Sequence, residues 1–391
     1  LKESFLKPAV IFLSNSLTVS VLIMFAILFA MEGYQNGHLP WSITPTAKLG
    51  APVIPPAPVH PDQQPTAKEV PSPNSGPSTT SPRVAPSVSN PVADQIDVSP
   101  SPPDIKYKPG EDPEFARKNG WPVDGPKPLP GAILPDTRIV AFYGNPLSYR
   151  MGILGKSTKE EMLHHLQQEV ALWEAADPSL HVQPALHLIA VTAQSTPGTA
   201  GKYRMIMLDK VVKQVYAWAK EAHALLFIDI QPGQDDIRNL LPRFEWILKN
   251  PDVHLGIDPE FNLGKSGAIP GTKIGTFDAE DVNYITRYLR ELVQKYHLPP
   301  KVLTVHRFTQ NGVTNFRDIE LSPEIQIVMH MDGWGGPWLK RDTYKRYIVA
   351  EPVQYAGFKL FYDNDTKKGN PLMTPEQVLK LNPKPLYIQY Q

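Results

Sequence analysis

The chain has 391 residues, 39 basic against 39 acidic side chains, 43 prolines and no cysteine. The lack of thiols excludes disulfides, thiolate metal sites, a cysteine nucleophile and a lipid-modified cysteine anchor. A formal net charge of zero, with no basic stripe carrying interleaved aromatics, points away from nucleic acid as a partner.

In chain order, the first eight residues carry Lys2 and Lys7, and residues 9–31 then contain no charge, with 21–30 continuously apolar. That length predicts a single membrane-spanning anchor. The lysines before it and Glu32 after it place residues 1–8 in the cytoplasm and the rest of the chain outside the cell membrane. A cleaved signal peptide is the competing reading, because Leu28-Phe29-Ala30 resembles a small-residue cleavage site. Residues 32–130 form the next unit. More than half of the prolines lie between 40 and 130, among Ser, Val, Ala and Thr. Such a composition buries too little apolar surface to offset its ordering entropy, and predicts a disordered stalk. Within it, 111–119 reads as a short helix that covers the bottom or side of the folded part.

From 131 to 391 the chain alternates strand-like and helix-like segments, the signature of a parallel sheet wrapped by crossover helices. Eight strands are expected, at 138–145, 182–191, 224–231, 253–260, 301–308, 325–334, 358–363 and 385–390. Helices are expected at 159–176, 205–222, 235–249, 279–296, 340–348 and 375–381. Asp278 and Thr374 stand as N-caps, and Pro375 follows at the first helical position. Eight strands in this length predict a (β/α)₈ TIM barrel that ends on its eighth strand without the usual closing helix. A doubly wound open sheet is the alternative. It lacks support, because Tyr143-Gly144-Asn145-Pro146 opens no helix and carries no glycine-rich phosphate fingerprint. Gly264-Lys265-Ser266-Gly267 precedes Pro270 rather than a helix and reads as an ordinary loop.

Side chains alternate faces along a strand, so one parity must face into the barrel. The apolar parity runs through Leu226, Ile228 and Ile230, through Val253, Leu255 and Ile257, and through Ile325, Ile327, Met329 and Met331. The other parity gathers polar groups at the strand ends, where barrels of this kind carry their chemistry. These are Tyr143, Asn145, His187, Asp229, Gln231, Asp258, Glu260, His306, His330, Asp332, Trp334, Asp363 and Gln389. Paired carboxylates suit glycoside hydrolysis, in which one acid protonates the leaving oxygen and another acts as nucleophile or base. Glu260 is the expected acid, with Asp258 beside it and Asp229 or Asp332 as the second carboxylate. Tyr143 and Trp334 would offer flat surfaces to sugar rings. Asn145, His187, Gln231, His306, His330, Asp363 and Gln389 are expected to contact substrate.

The strands Phe227-Ile228-Asp229-Ile230-Gln231 and Gly256-Ile257-Asp258-Pro259-Glu260 resemble the acid-bearing strands of glycoside-hydrolase-like TIM barrels. The stretch 138–335 is also similar to uncharacterised secreted or membrane-anchored proteins of actinobacteria and related bacteria. The first resemblance implies carboxylate chemistry on a cell-wall or extracellular polysaccharide; the second implies no activity. The chitinase-type run of three spaced aspartates before a glutamate is absent, with only its last two acidic positions matched by Asp258 and Glu260. No cofactor and no metal are expected, since the His-x-His pair of amidohydrolase-like barrels is replaced by Phe142-Tyr143-Gly144. A noncatalytic glycan-binding scaffold and a metal-dependent hydrolase using His306 and His330 remain as alternatives.

Overall fold

The computed structural model describes residues 106–391. The expected anchor at 9–31 and most of the expected stalk lie outside the described residues. Among the described residues no helix is long and apolar enough to cross a membrane.

Eight parallel strands close into a barrel: β1 (Thr137–Gly144), β2 (His181–Ala193), β3 (Leu225–Ile230), β4 (Val253–Ile257), β5 (Lys301–Arg307), β6 (Ile325–Met331), β7 (Tyr355–Leu360) and β8 (Tyr387–Tyr390). Each pairs with its neighbours in sequence, and β1 pairs both with β2, at Thr137↔His181, and with β8, at Ile139↔Tyr387. That second pairing closes the ring and rules out the open doubly wound sheet. The strands run nearly without exposure because both faces are covered, as parallel sheets require.

The expected parity holds. Ile228, Leu255, Ile327 and Met329 face outward and share one core with Val212, Val215, Ile285 and Leu289 of the helical layer. Inside, the barrel is filled in layers. Its lower part is apolar, built from Ile139, Ala141, Ala185, Leu225, Phe227, Val302, Val328 and Tyr387. Polar side chains begin directly above.

The main helices are α1 (Pro113–Lys118), α2 (Lys159–Ala176), α3 (Asp209–Glu221), α4 (Ala279–Tyr296) and α5 (Pro337–Tyr344). α4 starts on a capping box between Asp278 and Asp281, and Thr374 caps a one-turn helix, Pro375–Val378. The helix expected at 340–348 begins at Pro337 and runs on past Tyr344 as a π-helical turn, Lys345–Val349, the one expected at 375–381 stops at Val378, and two others differ more. Residues 205–208 do not join α3, because Arg204–Ile206 pairs antiparallel with the end of β2. The helix expected at 235–249 is broken into Ile237–Leu240 and Glu245–Leu248 by a 3₁₀ segment holding Pro242, whose ring removes a helical donor.

The stalk boundary at 130 also needs correction, because residues 106–130 belong to the folded body. Asp112 caps α1, Ala116 and Trp121 are buried, and Trp121 Nε1 donates to Val349 O at 3.0 Å. Glu111 pairs with the buried Arg341 at 3.1 Å, and Gly110 O accepts from Asn382 N at 2.8 Å. This short helix therefore does cover the barrel side, as 111–119 suggested.

Candidate active site

The carboxyl ends of the strands bring most of the expected residues to one mouth, arranged in two tiers. The upper tier holds Tyr143, Gln231, Asp258, Asp332 and the half-buried Glu260. Asp258 is 2 % exposed and Asp332 5 %, so both touch the mouth without standing in bulk water. β4 ends at Ile257, and the turn Pro259–Phe261 carries Glu260 over the rim. Trp334 is half-buried in the glycine-rich loop after β6.

The lower tier is wholly buried: His187, Asp229, His306, His330 and Gln389. His187, His306, His330 and Gln389 were expected to contact substrate and Asp229 to serve as a catalytic carboxylate, but all five lie buried beneath the mouth. His187 Nε2 stands 3.2 Å from Asp229 Oδ1, and its Nδ1 lies 2.6 Å from Tyr387 Oη and 3.0 Å from Gln389 Nε2. His306 Nδ1 meets Asp332 Oδ2 at 2.7 Å, while its Nε2 faces Asp229 Oδ1 at 3.4 Å without a hydrogen bond. Tyr143 Oη donates to Asp229 Oδ2 at 3.1 Å and ties the tiers together. Gln231 Nε2 reaches Tyr143 Oη at 3.3 Å and Asp258 Oδ2 at 3.5 Å. Both nitrogens of His330 are buried without partners.

Two expected contacts are elsewhere. Asp363 is exposed and pairs with Lys156 at 2.6 Å, because β7 ends at Leu360 and strand parity lapses before 363. Asn145 is buried in the turn after β1, where its side chain bonds Ile189 O and Leu147 N, each at 2.9 Å, and so shapes the loop.

Lys359 is the residue that the sequence reading missed. Its ammonium donates to both oxygens of Asp332, at 3.0 and 3.1 Å, and lies 4.1 Å from the Tyr143 ring centre, in cation–π range. The signal was present: the parity that placed Asp363 inward also points Lys359 inward, and a lysine amid apolar strand residues needs a buried partner. Tyr387, of the same parity as Gln389, was missed likewise.

These contacts shift the carboxyl groups in opposite directions. Burial opposes the charge of Asp229 and Asp332, yet His306 and His187 hold the first well below the usual carboxylate range, and Lys359 and His306 hold the second below it. Burial pushes Asp258 up to about 7, with Asp229 and Asp332 adding to the rise and the charges of His306 and Lys359 opposing it without a direct bond to its carboxyl. Burial, then Asp258 and Asp332, push Glu260 well above its usual range, although its partial exposure tempers the burial contribution. Burial also opposes the His306 imidazolium, but Asp229 and Asp332 outweigh it and raise His306 to about 10. Burial lowers His187 to about 4 and keeps it neutral.

The site therefore sets carboxyl groups of raised proton affinity beside others of lowered affinity at one mouth, the kind of arrangement that can separate an acid from a base or nucleophile. The chain matches no protein-family model, and no curated protein is a significant match to it.

Proposed function

We propose that this protein is a glycoside-hydrolase-like enzyme that cleaves a cell-wall or extracellular polysaccharide, with Glu260 as proton donor and Asp332 as the ionised partner. The reading is supported by carboxyl groups shifted in opposite directions at the barrel mouth, burial and nearby carboxylates raising Glu260 while direct bonds to Lys359 and His306 lower Asp332. A glycosidic oxygen leaves only when protonated, and Glu260, whose carboxyl is pushed well above its usual range, stands half-buried on the turn that crosses the rim. The Asp332 carboxylate, fixed by Lys359 and His306, either attacks the anomeric carbon or draws a proton from water. Asp229 has no exposure and serves by fixing Tyr143 and the two histidines. Around the mouth, Tyr149 in the loop after β1 and Trp338 at the start of α5 are 64 % and 66 % exposed, and their flat faces suit sugar rings. An anchor at 9–31 would display the barrel at the cell surface.

The test is release of reducing ends from a panel of bacterial wall and capsule polysaccharides by the full chain and its Glu260→Gln variant. Release by the wild type, reduced about 10²–10⁴-fold in the variant, is the expected result. Glycan binding by both proteins with no release by either would instead make the barrel a noncatalytic binding module. Release that Glu260→Gln leaves unchanged would remove Glu260 from the mechanism.

A further inference from the structure

The lower tier holds a set of donor atoms that glycoside hydrolysis does not require. His187 Nε2 and His306 Nε2 converge on the same atom, Asp229 Oδ1, at 3.2 and 3.4 Å. All three donor atoms lie within 4.8 Å of one another, and all three residues are fully buried. Ligands held tetrahedrally at bonds of about 2.0–2.1 Å are spaced roughly 3.3 Å apart, the separation seen here. His306 Nε2 is buried and makes no hydrogen bond, and its ion-pair contact with Asp229 Oδ1, at 3.4 Å, is one that a metal ion would replace by displacing the proton.

The surroundings match what metal-ligating histidines need. A ligating imidazole commonly donates its second N–H to a carboxylate or another acceptor, which fixes its tautomer and orientation. His306 Nδ1 has Asp332 Oδ2 at 2.7 Å, and His187 Nδ1 has Tyr387 Oη at 2.6 Å. The Gln389 amide lies against the same His187 nitrogen with its Oε1 unpartnered. Turning that amide over would put its oxygen toward Nδ1–H and leave His187 Nε2 as a lone-pair donor, in exchange for the Gln389 Nε2 donation to Tyr387 Oη at 3.2 Å. The donors pack directly against Gly256 on β4, where no side chain fits. A Cβ at Gly256 would stand 2.3 Å from His187 Nε2 and 2.5 Å from Asp229 Oδ1.

We propose that His187, Asp229 and His306 form a divalent transition-metal site beneath the barrel mouth. Two imidazoles and one carboxylate suit zinc or a neighbouring first-row ion and not calcium or magnesium, which prefer all-oxygen shells. The site does not depend on whether the barrel cleaves glycans.

The test uses the full chain, stripped with chelator and then titrated with Co²⁺ while its visible d–d absorption is followed, with Zn²⁺ as competitor. One tetrahedral Co²⁺ per chain, displaced by Zn²⁺, together with a melting temperature raised by Zn²⁺, is expected. The double variant His187→Asn/His306→Asn should lose the signal, Asp332→Asn should weaken binding about 10–100-fold, and Glu260→Gln should leave it intact. X-ray absorption of the zinc-loaded wild type should count two imidazole ligands, a readout that needs no folded variant. The proposal is overturned by a wild type with no cobalt bands and a melting temperature indifferent to Zn²⁺, by binding that survives in a folded double variant, or by a zinc shell without imidazole.

Discussion

At the scale of single residues, Asp258 gives the sharpest test of the electrostatic account. Its carboxyl has a folded-state value of about 7 against an ordinary 3.8, raised chiefly by burial. A group raised on folding contributes its stability in full below the unfolded value and loses it as pH climbs through the folded one. Between about pH 4 and pH 7 Asp258 should therefore progressively destabilise the fold, by a few kcal/mol in all. Asp258→Asn should match the wild type near pH 4, become the more stable protein as pH rises, and keep a constant advantage above about pH 7. Urea denaturation in EDTA across that range measures it, and a difference that does not vary with pH would show that Asp258 titrates normally. The position of Asp258 and Glu260 was legible in the sequence, because both continue the inward parity of a short strand. Their raised proton affinity was not, since it depends on burial and on Asp229 and Asp332, which other strands bring alongside.

At the scale of elements, the loops after β6 and β7 are joined by a buried ionic clasp. Lys340 of α5 pairs with Asp365 at 2.9 Å, both 1 % exposed at the side chain, and also donates to Gly333 O at 2.7 Å. Asp365 in turn accepts from Gly335 N and Phe361 N, at 2.8 and 3.0 Å. The loop bearing Trp334 is thus held from both ends, and Gly335 supplies the positive φ of 135° that the turn needs. Breaking one side of a buried pair strands a charge, so Lys340→Met should cost about 3–5 kcal/mol in urea denaturation. Adding Asp365→Leu should recover part of that loss, because the stranded carboxylate goes with it; strictly additive costs would show that the two groups are not coupled. Sequence patterning marked glycines around a tryptophan but not this clasp, whose partners are 25 residues apart. Local signals served better where the physics is local. The capped helix α4 lies at 279–296 as its apolar spacing and Asp278 required, whereas the expected 235–249 helix fails at Pro242.

At the scale of the whole molecule, the barrel was legible because eight strands carry the same two-sided pattern, and a single consistent parity leaves little choice of closure. The edge of the domain was not, because proline content measures how poorly a segment can form regular structure and says nothing of surface available for it to pack on. Residues 106–130 are proline-rich and still folded: α1 and Trp121 lie against the barrel side near Val349 and Arg341. A disordered stalk would tolerate any change at residue 121. A packed one would not, since Trp121 is 7 % exposed, sits in the main core and donates its indole N–H to Val349 O. Trp121→Ala should therefore cost about 3–5 kcal/mol, the usual loss for a large buried aromatic, and lower the melting temperature of the entire barrel in one transition. Calorimetry of the full chain decides it. A melting temperature unchanged by the substitution would return this segment to the stalk, while a single cooperative transition at lower temperature would make residues 106–391 one folding unit.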